Sequence, residues 1–392
     1  MKKFFTILGN ILKWILIVFV ALIVILLIVR FIGRTINNAA PSDGINESMY
    51  IDVNGQQQWI NIYGENKENP VMLYLHGGPG DSHSYGDWVI LRKLAKDYTV
   101  VNWDQRDCGK TWINDPKGTP ITPEIMRDDL SVVVDYLLDY MGKEKLTLLG
   151  MSWGTMYGGD YALEHPDKVE CMISLSLVFD HQESQKGLKD DFLKWSENEP
   201  EYHEMAEKYD PFFFDNVTDE QWKQMSEYMN AEESERAAIE QNNPELSEFI
   251  KNSREQSQIA QALNARYLPE EESYFDGDIN VIEAVFFNPY YSLFDYFKIL
   301  QYDPESDFSL SSQNFIDDFS LKNRTVYEMP YYVLQGDKDD NGGVEKSYFD
   351  SVKAPDKEFR YTEGGHMSTM LQSEKLAEFI HEIAQKQKTV KE

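Results

Sequence analysis

The sequence predicts an α/β fold, with a mostly parallel sheet, helices on both faces, an inserted helical cap and one transmembrane helix in front. Three observations lead there. Strand-like and helix-like segments alternate from residue 71 to residue 177. The alternation stops over 181–325, where helical patterns rich in Glu, Tyr, Phe and Trp take over, and it returns at residue 331. An uncharged apolar run stands near the N-terminus.

That run extends from Trp14 to Val29, with Ile11 and Leu12 before Lys13 and Phe31 and Ile32 after Arg30. It covers about 20 residues, enough to cross a hydrocarbon core of ~30 Å. A cleaved signal peptide has a shorter apolar region and a small-x-small site, which Asn38-Ala39-Ala40 matches poorly, so an anchor is expected. Lys13 and Arg30 lie where long basic side chains reach headgroups. Lys2, Lys3, Lys13 and the terminal amine precede the span and Arg30 and Arg34 follow it, which predicts a cytoplasmic N-terminus and an extracytoplasmic main body.

The remaining elements follow in order. Residues 1–35 form the tip and anchor, and 36–48 read as a linker. Asn54-Gly55 between two β-rich runs predicts a hairpin over Tyr50 to Tyr63. Strands are expected at 71–75 (VMLYL), 99–103 (TVVNW), 146–149 (LTLL) and 172–177 (MISLSL), with helices over Asp87–Tyr98, Pro123–Met141 and Thr155–His165 between them. The first part of the core thus covers 49–180, the cap 181–325, and the second part 326–392, with strands at 331–335 and 358–362 and a closing helix from Glu374 to Gln385.

The residues that carry chemistry sit where those strands end. Gly150-Met151-Ser152-Trp153-Gly154 joins a strand to a helix, the setting of a G-x-S-x-G nucleophile elbow. Its small flanking residues let backbones close around the turn, and the helix dipole favours negative charge at the serine oxygen. His76-Gly77-Gly78-Pro79-Gly80 follows the first core strand. The expected oxyanion donors are the N–H of Trp153 and that of Gly77 or Gly78, while His76 braces its loop. After the cap, Gly336-Asp337-Lys338-Asp339-Asp340 follows a strand. Asp339, three after the glycine, is the expected triad acid. Asp337 is read as a turn residue and Asp340 as the spare candidate. His366 in Gly364-Gly365-His366 follows the last strand, and the order Ser152, Asp339, His366 is that of the α/β-hydrolase fold. A serine hydrolase with an acyl-enzyme intermediate is therefore expected.

Taken together, HGGPG, DQRDCGKT at 104–111, GMSWGT at 150–155 and the GDKD…GGHM tail resemble the proline iminopeptidase family of serine peptidases. The resemblance covers about Tyr50–Val178 and Tyr331–Ile383, hardly the cap. It implies release of N-terminal residues, often proline, from short peptides, with cap glutamates holding the free amine. The chain departs from the family at Asp107, where glycine is usual, at Thr111, where serine is usual, and at Asn341-Gly342-Gly343 after the acid. A carboxylesterase or lipid hydrolase is the alternative, and a non-catalytic binding protein on the same scaffold a third. An aspartate in place of Ser152 would be needed for dehalogenase or epoxide hydrolase chemistry.

Composition bounds the partners. A hydrophobic content of 42% and an aromatic content of 13% support a packed core. Residues 1–34 hold five basic and no acidic residues, so the rest of the chain is more negative than the formal total of -30. Such a surface argues against nucleic acid and anionic lipid. Within 181–300 there are 27 Asp/Glu against 10 Lys/Arg, which either draws a peptide ammonium or is a solvated helical surface. Tyr290, Tyr291 and Phe294 either line the pocket or form a packing stripe. Arg106 is expected in an ion pair beneath the site. Cys108 and Cys171 form neither a disulfide framework nor a ligand cluster, and no metal or cofactor is expected.

Overall fold

The computed structural model describes residues 2–80, 82–117, 121–214, 216–267, 280, 282–301, 313–339 and 343–391. The chain opens with α1, Lys2–Asn37, whose apolar side chains are exposed along nearly its whole length. It is long and apolar enough to cross a membrane. The hairpin follows as β1, Ile45–Val53, and β2, Gln56–Gly64. Its turn is Asn54 and Gly55, both at positive φ (48° and 81°), which is why an Asn-Gly pair stands there.

Then come β3, Val71–Leu75; α2, Ser84–Leu91; β4, Thr99–Trp103; α3, Gly109–Asn114; and α4, Pro123–Met141. The last has a full set of terminal signals. Thr122 accepts the Ile125 N–H, Pro123 opens the first turn, and Gly142 ends the helix in the left-handed region. After these lie β5, Leu146–Met151; α5, Trp153–Glu164; and β6, Val169–Leu175.

The described part of the inserted block is helical: α6, His181–Trp195; α7, Pro200–Lys208; α8, Asp219–Asn230; α9, Glu233–Asn242; α10, Pro244–Tyr267; α11, Leu293–Ile299; and α12, Gln313–Asp317. The core resumes with β7, Tyr331–Gly336; α13, Glu345–Ser351; β8, Lys357–Thr362; α14, Ser368–Leu371; and α15, Ser373–Lys391.

The eight strands form one sheet in the order β1-β2-β4-β3-β5-β6-β7-β8. β1 pairs antiparallel with β2, β2 antiparallel with β4, and all pairs from β4 to β8 run parallel. The central strands are buried on both sides, which explains their unbroken apolar runs. Alternate residues face two separate cores. Val71, Leu73 and Leu75 join α4 and α5 on one face, while Met72 and Tyr74 join α2 and α15 on the other. Three short helices of the core were invisible to periodicity: α3, α13 and α14, each about two turns long or less.

The join between α1 and the core differs from a loose tether. The helix continues to Asn37, and Arg30 turns into the protein instead of toward headgroups, with 4% of its surface exposed. Nearby main-chain carbonyls supply the acceptors that draw it inward.

Candidate active site

β5 ends at Met151 and α5 begins at Trp153, so Ser152 alone makes the turn. Its φ of 52° and ψ of -121° lie where a residue with a Cβ is strained. Such a position costs about 1–3 kcal/mol and persists only where its surroundings enforce it. The flanking glycines are steric requirements. A Cβ on Gly150 would lie 2.3 Å from the Gly154 carbonyl oxygen, and one on Gly154 would lie 2.1 Å from that of Leu75. The Ser152 N–H donates to the Leu175 oxygen at 3.0 Å, which ties the turn to the end of β6.

His366 lies between β8 and α14, at the same carboxyl end of the sheet. Its Nδ1 stands 2.9 Å from Asp339 Oδ1. The other carboxylate oxygen accepts from Gln335 Nε2 at 2.8 Å. An ionised carboxylate only accepts, so Nδ1 carries the proton and Nε2 is left as the basic nitrogen. The Asp339 side chain is 3% exposed and that of His366 18%. The histidine loop is tied to the serine turn: Ser176 Oγ donates to the His366 carbonyl (2.5 Å) and contacts Thr369 Oγ1 (2.8 Å), which lies 3.7 Å from Met151 Sδ. Gln335, Ser176 and Thr369 had carried no signal in the sequence, because they act through contacts between strand ends. Asp337 accepts the Gly364 N–H at 2.8 Å and so braces the turn. Asp340 lies outside the described residues.

Gly77 and Gly78 follow β3. A Cβ on Gly77 would lie 3.3 Å from Ser152 Cβ, so the loop backbone passes directly against the serine. Trp153 supplies the first amide of α5, and first-turn amides have no partner within their helix. Its ring is buried, stacked on Tyr157 at 5.6 Å and edge-on to Phe319 at 4.8 Å. His76 is buried and links two loops: its Nδ1 lies 2.8 Å from the Gly77 oxygen, and its Nε2 accepts the Gln105 N–H at 3.4 Å.

Beneath this loop, Asp104 accepts from Ser82 Oγ (2.5 Å), Ser84 Oγ (3.0 Å) and the Lys110 N–H (2.6 Å), and burial raises its pKa. Arg106 forms a two-pronged pair with Asp129 at 2.6 and 2.7 Å. Asp107, in place of a family glycine, sits at φ 51°, and its carboxylate accepts from Gln56 Nε2 and the Lys117 N–H. Thr111 Oγ1 donates to the Asp104 oxygen and accepts the Trp59 N–H.

A cavity of about 370 Å³ lies between the cap and the end of β7, lined by Asp191, Tyr267, Gln335, Asp339, Glu345 and Lys346 among others. Burial raises the pKa of Asp191 and pushes that of Glu345 up to about 8, with the charge of Asp339 adding to the effect. Tyr290 and Tyr291 pack on Trp59 and Trp88, and Phe294 is 63% exposed on the outside. The packing reading holds for the two tyrosines, and Phe294 stands apart from their cluster.

Residues 70–372 match the family described as alpha/beta hydrolase fold. Over 127 residues the chain is 34% identical to the proline iminopeptidase of Lactobacillus helveticus (strain DPC 4571). That stretch is 32% of this chain and 41% of the relative, well under two thirds of its length. Among solved structures, a proline iminopeptidase from Mycobacterium smegmatis aligns with TM-score 0.53 and 16% identity, over 88% of this chain and 100% of that one. A proline iminopeptidase-related protein from Thermus thermophilus aligns with TM-score 0.52 and 15% identity, over 88% and 98%. These two likenesses bear on the fold. Sheet order, the strained turn and the family match agree: the chain belongs to the α/β-hydrolase fold family and is similar to the proline iminopeptidases over part of its length.

Proposed function

We propose that this protein is a membrane-anchored serine hydrolase, an aminopeptidase of the proline iminopeptidase type that releases N-terminal residues from short peptides. The observation that carries the reading is the 2.9 Å contact between His366 and a buried Asp339, tied through Ser176 and Thr369 to the strained turn at Ser152. Ser152 Oγ attacks the scissile carbonyl carbon while His366 Nε2 takes its proton. Asp339 keeps the other nitrogen protonated and stabilises the imidazolium. The N–H groups of Trp153 and of Gly77 or Gly78 receive the oxyanion. The imidazolium then protonates the departing amine, leaving an acyl-serine. Water, deprotonated by the same nitrogen, releases the acid and restores the serine.

The excess of carboxylates in the cap supports a substrate with a free ammonium group, which a negative cleft concentrates. The basic residues before the apolar helix support a cytoplasmic N-terminus and an extracytoplasmic hydrolase.

Detergent-solubilised protein should react with a fluorophosphonate probe and turn over proline- or alanine-naphthylamide. Both signals should vanish in Ser152→Ala and His366→Ala, and Asp339→Asn should lower kcat by about 10³–10⁴-fold. Unchanged labelling of Ser152→Ala would end the serine assignment. Turnover of p-nitrophenyl esters with none of the amides would leave a carboxylesterase or lipid hydrolase instead.

A further inference from the structure

The last turns of α1 are clamped by the segment just before α11. Arg30 Nη1 donates to the Val285 and Phe286 carbonyls and Nη2 to that of Tyr291 at 2.9 Å. Arg34 donates to the carbonyls of Asn288 and Pro289, both at 2.9 Å. Asn37 Nδ2 donates to the Phe287 carbonyl at 3.2 Å, and its own carbonyl accepts from Arg92 of the core at 2.7 Å. Gly33 leaves room for the Phe287 ring, since a Cβ there would lie 2.1 Å from it. The cap segment 285–291 is thus wrapped on the last turns of α1 by charge-assisted bonds. α1 is thereby bonded to the enzyme body at several points.

Beside this clamp lies an exposed apolar surface. Leu293, Phe294, Phe297 and Leu300 are 56%, 63%, 57% and 84% exposed, and Ile282 is 65% exposed. The spacing 293, 294, 297, 300 is one face of α11; the opposite face, Tyr296 and Ile299, packs inward on the Trp59 and Trp88 cluster. The Arg30 guanidinium lies 5.8 Å from the Tyr296 ring, so α11 stands against the anchor at the level of Arg30. That level is the end of the uncharged run Trp14–Val29. Phe31, Ile32 and Ile36 of the anchor are exposed there too.

We propose that this face of α11, with Ile282, is immersed in the interfacial layer of the bilayer that α1 crosses, so that the hydrolase lies on the membrane in one fixed orientation. The proposal rests on α1 being a membrane span. The occupant is lipid because the surface continues directly from the apolar shaft of α1, and a patch rigidly held at that height meets acyl chains and headgroups first. The acidic body gives no electrostatic attraction to anionic lipid, so apolar burial supplies the contact and neutral lipid suffices. Orientation then extends toward the site: Tyr291, held by Arg30 through its carbonyl, reaches Ser84 Oγ at 2.7 Å and Asp104 Oδ2 at 3.3 Å beneath the Gly77 loop.

Full-length protein in phosphatidylcholine nanodiscs, spin-labelled at single introduced cysteines, tests this. The reporters are Phe294→Cys and Phe297→Cys, with Ile23→Cys in the anchor and Met229→Cys, an exposed apolar position of the cap, as references. Relaxation by oxygen should exceed relaxation by a soluble nickel chelate several-fold at 23, 294 and 297, with the reverse at 229. If 23 is in lipid while 294 and 297 match 229, the docking is overturned and the span survives. If 23 is also open to the chelate, the span reading fails and the docking with it. Labels at 294 and 297 shielded from both reagents, with dipolar broadening between copies, would overturn lipid in favour of a second copy of the chain.

Discussion

Glu345 shares the cavity wall with Asp339 and is 1% exposed, with one oxygen bonded by Ser184 Oγ at 3.2 Å and the other unpartnered among the described residues. Burial raises its pKa from an ordinary 4.5 to about 8. Between those values the folded protein holds a proton that the unfolded chain has released. Stability from this group is therefore complete below about pH 4.5 and is lost as pH rises through 8. Glu345→Gln keeps the neutral shape at every pH, so it should remove a fall in stability of order 2–4 kcal/mol between acid and mildly alkaline solution. Thermal melts of both proteins at pH 5 and pH 8 measure it, and an equal fall in the two would refute the assignment. At this scale the sequence was legible wherever chemistry and backbone demand coincide. The strained turn at Ser152 and the strand-end places of Asp339 and His366 were readable because their flanking glycines and strand ends are local. Glu345, Gln335 and Ser176 were silent, because nothing in their neighbours along the chain says that they face one another.

Among the elements, the DQR loop between β4 and α3 shows how a motif keeps its shape through contacts it does not contain. The Arg106–Asp129 pair is 6% and 0% exposed, and Asp129 also accepts from Asn54 and Gln58 at 2.8 Å. Removing one partner strands a buried charge, so Asp129→Ala should cost about 3–5 kcal/mol. Denaturant unfolding gives the value; a loss below about 1 kcal/mol, the range of exposed pairs, would mean the pair is hydrated. α4 matched its expected bounds because its capping residues and apolar stripe are written in sequence order, whereas α2 runs over Ser84–Leu91 where Asp87–Tyr98 was expected and β6 over Val169–Leu175 where 172–177 was expected. α3 and α13 are too short to display a period, and the outward apolar face of α11 is inseparable by pattern from its inward one.

For the whole molecule, the negative excess of the body is a term against compactness. As ionic strength rises from ~0.01 M to ~0.15 M, the screening length falls from about 30 Å to about 8 Å. Self-repulsion should weaken, and the melting temperature of the detergent-solubilised protein should climb with sodium chloride by several degrees. A flat or falling dependence would place the stabilising ion pairs above the repulsion.

The alternation of elements, the sharp turn at Ser152, the strand ends that carry Asp339 and His366 and the long apolar N-terminal helix were determined by the sequence alone, since each depends on residues within a few positions of one another. The tertiary structure decided what joins distant stretches. Arg30, legible only as a basic residue at the end of a span, is paired with carbonyls some 255 residues away. Tyr290 and Tyr291 close a core against Trp59 and Trp88, and α11 stands beside α1. Burial, shared hydrogen bonds and raised carboxyl pKa values arise from proximity in space, which chain spacing encodes only where the fold is local.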